Sequence, residues 1–191
     1  MLKLPRTIRL DPSDTFVFER AAEPGEWAVS GAFVFCNQDP ATLAQKQRVA
    51  LRSGFLVIDS LGWSTLAIVT EATAAERQAM VERLVAQLLD KFGAPDMDAA
   101  RAAAEEEVAF AASLCEHPTQ TLLAVQRSIE DGEIRERFRT LKPREAAGDA
   151  DRLHAYASAF TFHEVEGEDE PTEEVDLLGL MGTDRITGDR R

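Results

Sequence analysis

Apolar positions follow two periods along the chain, and the change of period marks the elements. From Trp63 to Glu71 the run Trp-Ser-Thr-Leu-Ala-Ile-Val-Thr-Glu is rich in β-branched and aromatic residues with almost no polar alternation, which predicts a central strand covered on both faces. The period then lengthens. Met80, Val81, Leu84, Val85, Leu88, Leu89 and Phe92 form one helical stripe, with Arg77, Glu82, Arg83, Asp90 and Lys91 outside it. Thr73-Ala-Ala-Glu76 supplies a capping box at its start, and Gly93 and Pro95 stop it.

The same reading extends in both directions. Residues 3 to 10 and 14 to 20 read as two short strands joined through Asp11-Pro12-Ser13. Trp27 to Cys36 reads as a buried strand in which Gly31 marks a bulge or a close backbone approach. Asp39 and Pro40 suit the N-cap and first position of a helix running to about Ser53, and Phe55-Leu-Val-Ile58 suits a further strand. Asp96 or Asp98 caps a second long helix to about Glu116, with the stripe Ala100, Ala104, Val108, Ala111 and Cys115. Asp131-Gly132 favours a two-residue type I′ turn, which sets Ile129 against Ile134, Arg127 against Glu136 and Val125 against Phe138. That register leaves Gln126, Ser128, Arg135, Arg137 and Arg139 on the opposite face. The expected class is α+β: an antiparallel sheet with two or three helices packed on one face, plus an acidic C-terminal tail.

Charge sets the expected boundary. The net charge is -13. Residues 1 to 145 carry 22 acidic and 17 basic side chains, net -5, and residues 146 to 191 carry 12 and 4, net -8. One globular domain is therefore expected over residues 1–145, followed by a mostly flexible acidic tail over 146–191. Within that tail Tyr156 to Val165 alternates like a short strand or docking segment, and 175–181 (Val-Asp-Leu-Leu-Gly-Leu-Met) is an apolar patch in polar surroundings. The negative balance makes nucleic acid an unlikely partner. No apolar run reaches membrane-spanning length, the first residues lack the apolar middle of a signal peptide, and two cysteines outside any CxxC spacing fit a reducing compartment. A cytoplasmic protein is expected.

Little in the chain points to catalysis. Cys115-Glu-His117 sets a thiol beside an imidazole, yet Cys115 lies on an apolar stripe, as a core cysteine does. Glu105-Glu-Glu107 spreads three carboxylates around a helix and reads as a solvated face. No phosphate loop, zinc motif or nucleophile elbow is present, so no catalytic residue, metal or cofactor is expected. The one concentrated basic surface is the ladder Arg135, Arg137 and Arg139, whose guanidinium forks pair with carboxylates or phosphates. The same ladder also suits a face that simply keeps a sheet soluble, or one on which the acidic tail folds back.

At Arg6-Thr-Ile-Arg-Leu-Asp-Pro-Ser-Asp-Thr-Phe-Val-Phe18, from Arg52-Ser-Gly-Phe55 through Gly62-Trp-Ser-Thr-Leu66, and at Ala104-Glu-Glu-Glu-Val-Ala-Phe110, the chain resembles a small uncharacterised proteobacterial family. The resemblance covers about residues 1–145. It implies a compact bacterial cytoplasmic domain of unknown function and carries no activity, cofactor or catalytic residue. The function expected on these grounds is a non-enzymatic protein-binding or accessory role. Its contacts would be Arg135, Arg137 and Arg139 and, in the tail, Val175, Leu177, Leu178, Leu180 and Met181. The alternative is a small enzyme or ligand-binding domain with a pocket between sheet and helices, using residues such as Trp27, Trp63 or His117. RNA binding through the ladder ranks last.

Overall fold

A computed structural model describes residues 1–143 and 163–166. The first half of the chain forms β1 (Lys3–Ile8), α1 (Ser13–Val17), β2 (Ala28–Val29), two 3-10 turns (Ala32–Phe35 and Pro40–Thr42), α2 (Gln45–Ser53) and β3 (Phe55–Val57). There follow β4 (Trp63–Ser64), β5 (Leu66–Glu71), α3 (Ala74–Lys91), α4 (Met97–Ser113), β6 (Leu122–Glu130), β7 (Glu133–Pro143) and β8 (His163–Glu166). The strands make two antiparallel sheets, one of five strands in the order β1-β5-β6-β7-β8 and one of three in the order β2-β3-β4. The class is α+β, as the periodicity predicted.

The small sheet folds over one face of the large one. Alternation along its strands divides the apolar residues between two layers. Ala28 and Phe55 pack with Ala67, Val69, Leu123 and Val125 between the sheets, whereas Val29, Leu56 and Ile58, joined by Leu4, pack against the helices. The sheets meet edge to edge through a bridge from Arg6 to Trp27, reinforced by the Thr7 N–H donating to the Glu26 carbonyl at 2.9 Å. The Arg6 guanidinium lies 3.7 Å from the centre of the Trp27 ring.

The two long helices begin where their caps predict. Thr73 Oγ1 accepts from the Glu76 N–H at 3.1 Å, while Glu76 Oε2 accepts from the Thr73 N–H at 2.8 Å and from Thr73 Oγ1 at 2.9 Å, two bonds that hold the carboxyl below its ordinary pKa. Asp96 accepts from the Ala99 N–H at 2.8 Å. Met80, Val81, Leu84, Val85 and Leu88 of α3 are buried against a face of α4 built mostly from alanines, Ala100, Ala104 and Ala111, with Val108.

Three expected elements take another form. Residues 14 to 20 are not a strand: α1 starts at Ser13, Phe18 alone enters the core, and Phe16 is 72% exposed. Asp14 is buried instead, accepting from Thr65 Oγ1 at 2.6 Å and from the Thr65 N–H at 3.2 Å. The stretch from Trp27 to Cys36 forms a strand only at Ala28–Val29, next to the bridge at Trp27, because Gly31 takes φ +79° and turns the chain into a 3-10 turn. The helix expected from Asp39 is broken: Asp39 caps only Pro40–Thr42, Leu43 turns into the core, and α2 starts afresh with Gln47 Oε1 accepting from the Ala44 N–H at 3.0 Å. β5 is interior to its sheet but not covered on both faces, since Ala67 and Val69 are buried and Leu66, Ile68 and Thr70 are half-buried. β8 covers the last part of the alternating segment 156–165 and extends one residue past it.

Candidate functional site

The β6–β7 hairpin forms in the register its turn dictates. Asp131 and Gly132 have φ of +53° and +81°, as a type I′ turn requires, and Ile129, Arg127 and Val125 stand opposite Ile134, Glu136 and Phe138. Its two faces differ sharply.

The inner face carries a buried guanidinium. Leu123, Val125 and Arg127 share one side by alternation, and the Arg127 side chain has no exposed surface. Its Nε donates to Glu136 Oε1 at 2.7 Å, and Nη1 donates to the carbonyls of Gly54, Leu51 and Ala50 at 2.8, 3.1 and 3.4 Å. Nη2 donates to the Ser30 carbonyl and, at 3.1 Å, to Ser30 Oγ, which in turn donates to Glu136 Oε1. Ala50 and Leu51 lie in the last turn of α2 and Gly54 follows it, so the cation meets the negative end of that helix, where the Ala50 carbonyl also accepts from the Gly54 N–H at 3.0 Å. Burial pulls the Arg127 pKa down while Glu136 pushes it up, and an arginine so paired stays charged. Ser30 is 1% exposed, so a substrate has no access to it. This cluster is a lock between hairpin, small sheet and α2.

Glu107 sits beside the lock. Its Oε1 accepts from the Gly31 N–H at 2.9 Å, and burial raises its pKa, with the Glu136 charge adding to the rise and Arg127 opposing it. A solvated face was expected for Glu105-Glu-Glu107, and Glu107 departs from it. The signal was present in the spacing, because residue 107 falls three after Ala104 and four before Ala111 and so shares the buried stripe. The carboxyl also lines a cleft of about 400 Å³ bounded by Phe33, Leu84, Leu88, Ala103 and Phe110.

The raised pKa fixes a pH dependence. Folded Glu107 holds its proton more tightly than the unfolded chain does, so this group favours folding fully below the ordinary glutamate pKa. The contribution is lost as pH rises through the raised folded value. Glu107→Gln keeps an acceptor for Gly31 without a charge, so it is expected to stabilise the protein at pH 7 by on the order of 1 kcal/mol and to change little at pH 4. Urea unfolding at the two pH values measures this; equal effects at both would separate the carboxyl's charge from stability.

The opposite face of the hairpin holds the sequence-predicted ladder. Arg135, Arg137 and Arg139 stand across from Ser128, Gln126 and Ala124. Arg135 and Arg137 are exposed and Arg139 is half-buried. Arg135 pairs with Glu133 at 3.0 Å, an exposed contact of small energetic weight. Val175, Leu177, Leu178, Leu180 and Met181 lie outside the described residues.

Trp27, Trp63 and His117 do not line the cleft. Trp27 stacks under Arg6, Trp63 packs on Phe35 with ring centres 5.4 Å apart, and the His117 carbonyl accepts from Lys3 Nζ at 2.6 Å. Cys115 is a core residue, its thiol pushed up to about 12 by burial, and therefore no nucleophile. Among the described residues no group of three or more His, Cys, Asp or Glu is placed to hold a metal ion, and no helix is long and apolar enough to cross a membrane.

Fold and site together define a small α+β domain locked by an internal arginine and presenting a basic hairpin face. Residues 1–159 match the profile of a family of unknown function (DUF6505), and the chain belongs to that family. No curated protein and no solved structure matches the chain.

Proposed function

We propose that the protein is a non-enzymatic binding or accessory protein of the bacterial cytoplasm, and that Arg135, Arg137 and Arg139 receive an acidic protein partner. The observation that supports this reading most directly is the placement of three arginines at alternate positions along one face of β7, on a hairpin held rigid from the other side by Arg127. Guanidinium groups so spaced pair with carboxylates of an extended acidic segment and steer its approach. The apolar segment 175–181 supplies a second contact, docking in a groove of the same partner. An overall charge of -13 disfavours RNA for the same surface, since a polyanion is repelled by the rest of the molecule. A proteobacterial and cytoplasmic setting accords with the sequence resemblance and with two cysteines that form no disulfide.

Affinity purification from the native host tests the reading. The wild type is compared with Arg135→Glu/Arg137→Glu/Arg139→Glu and with a variant lacking residues 175–181. A protein partner recovered with the wild type is expected to fall at least about tenfold on the triple reversal, the scale of a lost charge network. A partner set unchanged by both variants would overturn it. The second reading, a ligand-binding domain, rests on the Glu107 cleft, whose apolar walls and two glutamates, Glu106 and Glu107, suit a small amphipathic molecule with hydrogen-bond donors. A small molecule retained by all three forms would favour that reading.

A further inference from the structure

We infer that the Glu107 cleft is one end of a longer groove beside α4, and that this groove binds a linear cationic amphipath, with an alkyl chain along the apolar floor and a primary ammonium head at Glu106 and Glu107. The inference deepens the second reading above, a ligand-binding domain, and rests on it; the arginine ladder plays no part.

Helical spacing builds the groove. Ala99, Ala103, the pair Glu106 and Glu107, and Phe110 recur at three- and four-residue steps along one side of α4, and Leu84, Leu88, Lys91 and Phe92 do the same along α3. Phe33, Leu88 and Ala103 line both the 400 Å³ cleft and a second one of about 650 Å³, which continues past them to Lys91, Phe92 and Ala99. Eleven residues separate Ala99 from Phe110, so the groove follows α4 for about 16 Å. Leu84 and Leu88 are buried beneath it, and alanines at 99 and 103 leave it open. Phe33 meets Phe92 edge-on with ring centres 5.3 Å apart. Phe110, 38% exposed, stands at the carboxylate end against Phe138, with ring centres 5.6 Å apart. Apolar surface held open in a concave shape is what a chain-like apolar ligand covers.

The charges select the head group. The residues lining the Glu107 end include two carboxyls and no cation. Arg127 gives its Nε to Glu136, and Glu107 Oε1 accepts only from the Gly31 N–H. At the other end Lys91 pairs with its exposed neighbour Asp90 at 2.7 Å, a contact of small weight. A carboxyl withdrawn from water is costly to ionise until a cation meets it, and an ammonium carries three donors to share between two carboxyls. An anionic head is repelled from the same place. The groups facing Glu107 are Glu106 on its own helix, Glu136 and Arg127 on the hairpin, and the Gly31 N–H. A bound ammonium favours the ionised form, so affinity rises as pH climbs through the raised Glu107 value, while an alkylammonium keeps its own charge up to about pH 10.

Calorimetric titration of the full chain with n-octylammonium tests the inference, with 1-octanol and n-octanoate as neutral and anionic probes. Octylammonium is expected to bind at least about tenfold tighter than octanol, the scale of one charge-assisted hydrogen bond, and octanoate more weakly than either. Octylammonium binding is expected to strengthen between about pH 5 and about pH 8. Glu106→Gln/Glu107→Gln keeps the apolar walls, so it is expected to take octanol as before and to lose both the preference for the ammonium and its pH dependence. Ala103→Leu fills the groove from an exposed helical position and is expected to weaken all three probes. Failure of octylammonium to bind the wild type would overturn the inference, as would equal affinity for octanoate or a preference that survives in the double glutamine variant. The two readings separate: octanol or octanoate bound without ammonium preference, and expelled by Ala103→Leu, leaves a ligand site that is not a cation site, whereas binding by none of the probes removes both.

Discussion

Arg127→Ala is expected to destabilise the protein by about 3–5 kcal/mol, the cost of breaking a buried ion pair from one side. The substitution leaves Glu136, whose side chain is 18% exposed, without its cation, and deprives Ser30 and the end of α2 of their donor. The loss is mainly of satisfaction, since each buried acceptor left unpaired costs about 1–3 kcal/mol. Arg127→Lys separates charge from geometry, because a single ammonium cannot reach Glu136, Ser30 and the α2 carbonyls together; it is expected to recover less than half of the loss. Adding Glu136→Gln to Arg127→Ala removes the stranded charge and is expected to recover part of it. Urea unfolding of the four proteins measures these differences. A loss under about 1 kcal/mol for Arg127→Ala would place it among ordinary surface changes and refute the lock.

Gly31→Ala is expected to cost about 3 kcal/mol or more, by adding left-handed strain to overpacking. Gly31 has φ +79°, and a methyl group there would lie 2.3 Å from Leu56 Cβ, a position fixed to the backbone of β3. Gly132→Ala is the control. It has nearly the same φ, +81°, with nothing within 4 Å of the added carbon, so it reports the backbone term alone, about 1 kcal/mol. The difference between the two variants in chemical denaturation isolates the close approach of Gly31 to Leu56. Equal losses would show that the neighbouring strand yields.

Local signals carried much of this fold, and long-range ones did not. Thr73 with Glu76, Asp96, and Asp131 with Gly132 act within a few residues, so caps, stripes and the whole β6–β7 register were legible. The segments that went astray are those where distant contacts decide. Asp14 is buried by Ser64 and Thr65, some fifty residues away, and the need to pair it favours a helix where Phe16-Val-Phe18 alone suggests a strand. Gly31 announced a close approach, but not that it would end a strand. At the ladder the faces of Arg135, Arg137 and Arg139 followed from alternation. Arg127 was assigned to the inner face on the same grounds, yet its depth was hidden, because the carbonyls that hold it belong to a helix end far away in sequence. Glu107 was missed by treating Glu105-Glu-Glu107 as one unit.

The separation of Arg127 from its acceptors also bears on how the molecule is made. Ser30, Ala50, Leu51 and Gly54 precede it by 97, 77, 76 and 73 residues. During synthesis the small sheet and α2 emerge long before the side chain that ties them together, and β5, whose Ile68 pairs with Leu122, must also wait for β6. The N-terminal half can collapse early but cannot settle, since pairings this distant are reached only after the entropy of closing long loops has been met. The final locking step therefore belongs to the hairpin, a local element able to form within about 10 μs. Slow, non-local assembly completed by a fast local clasp leaves the newly made first half as the interval in which chaperones have most to do.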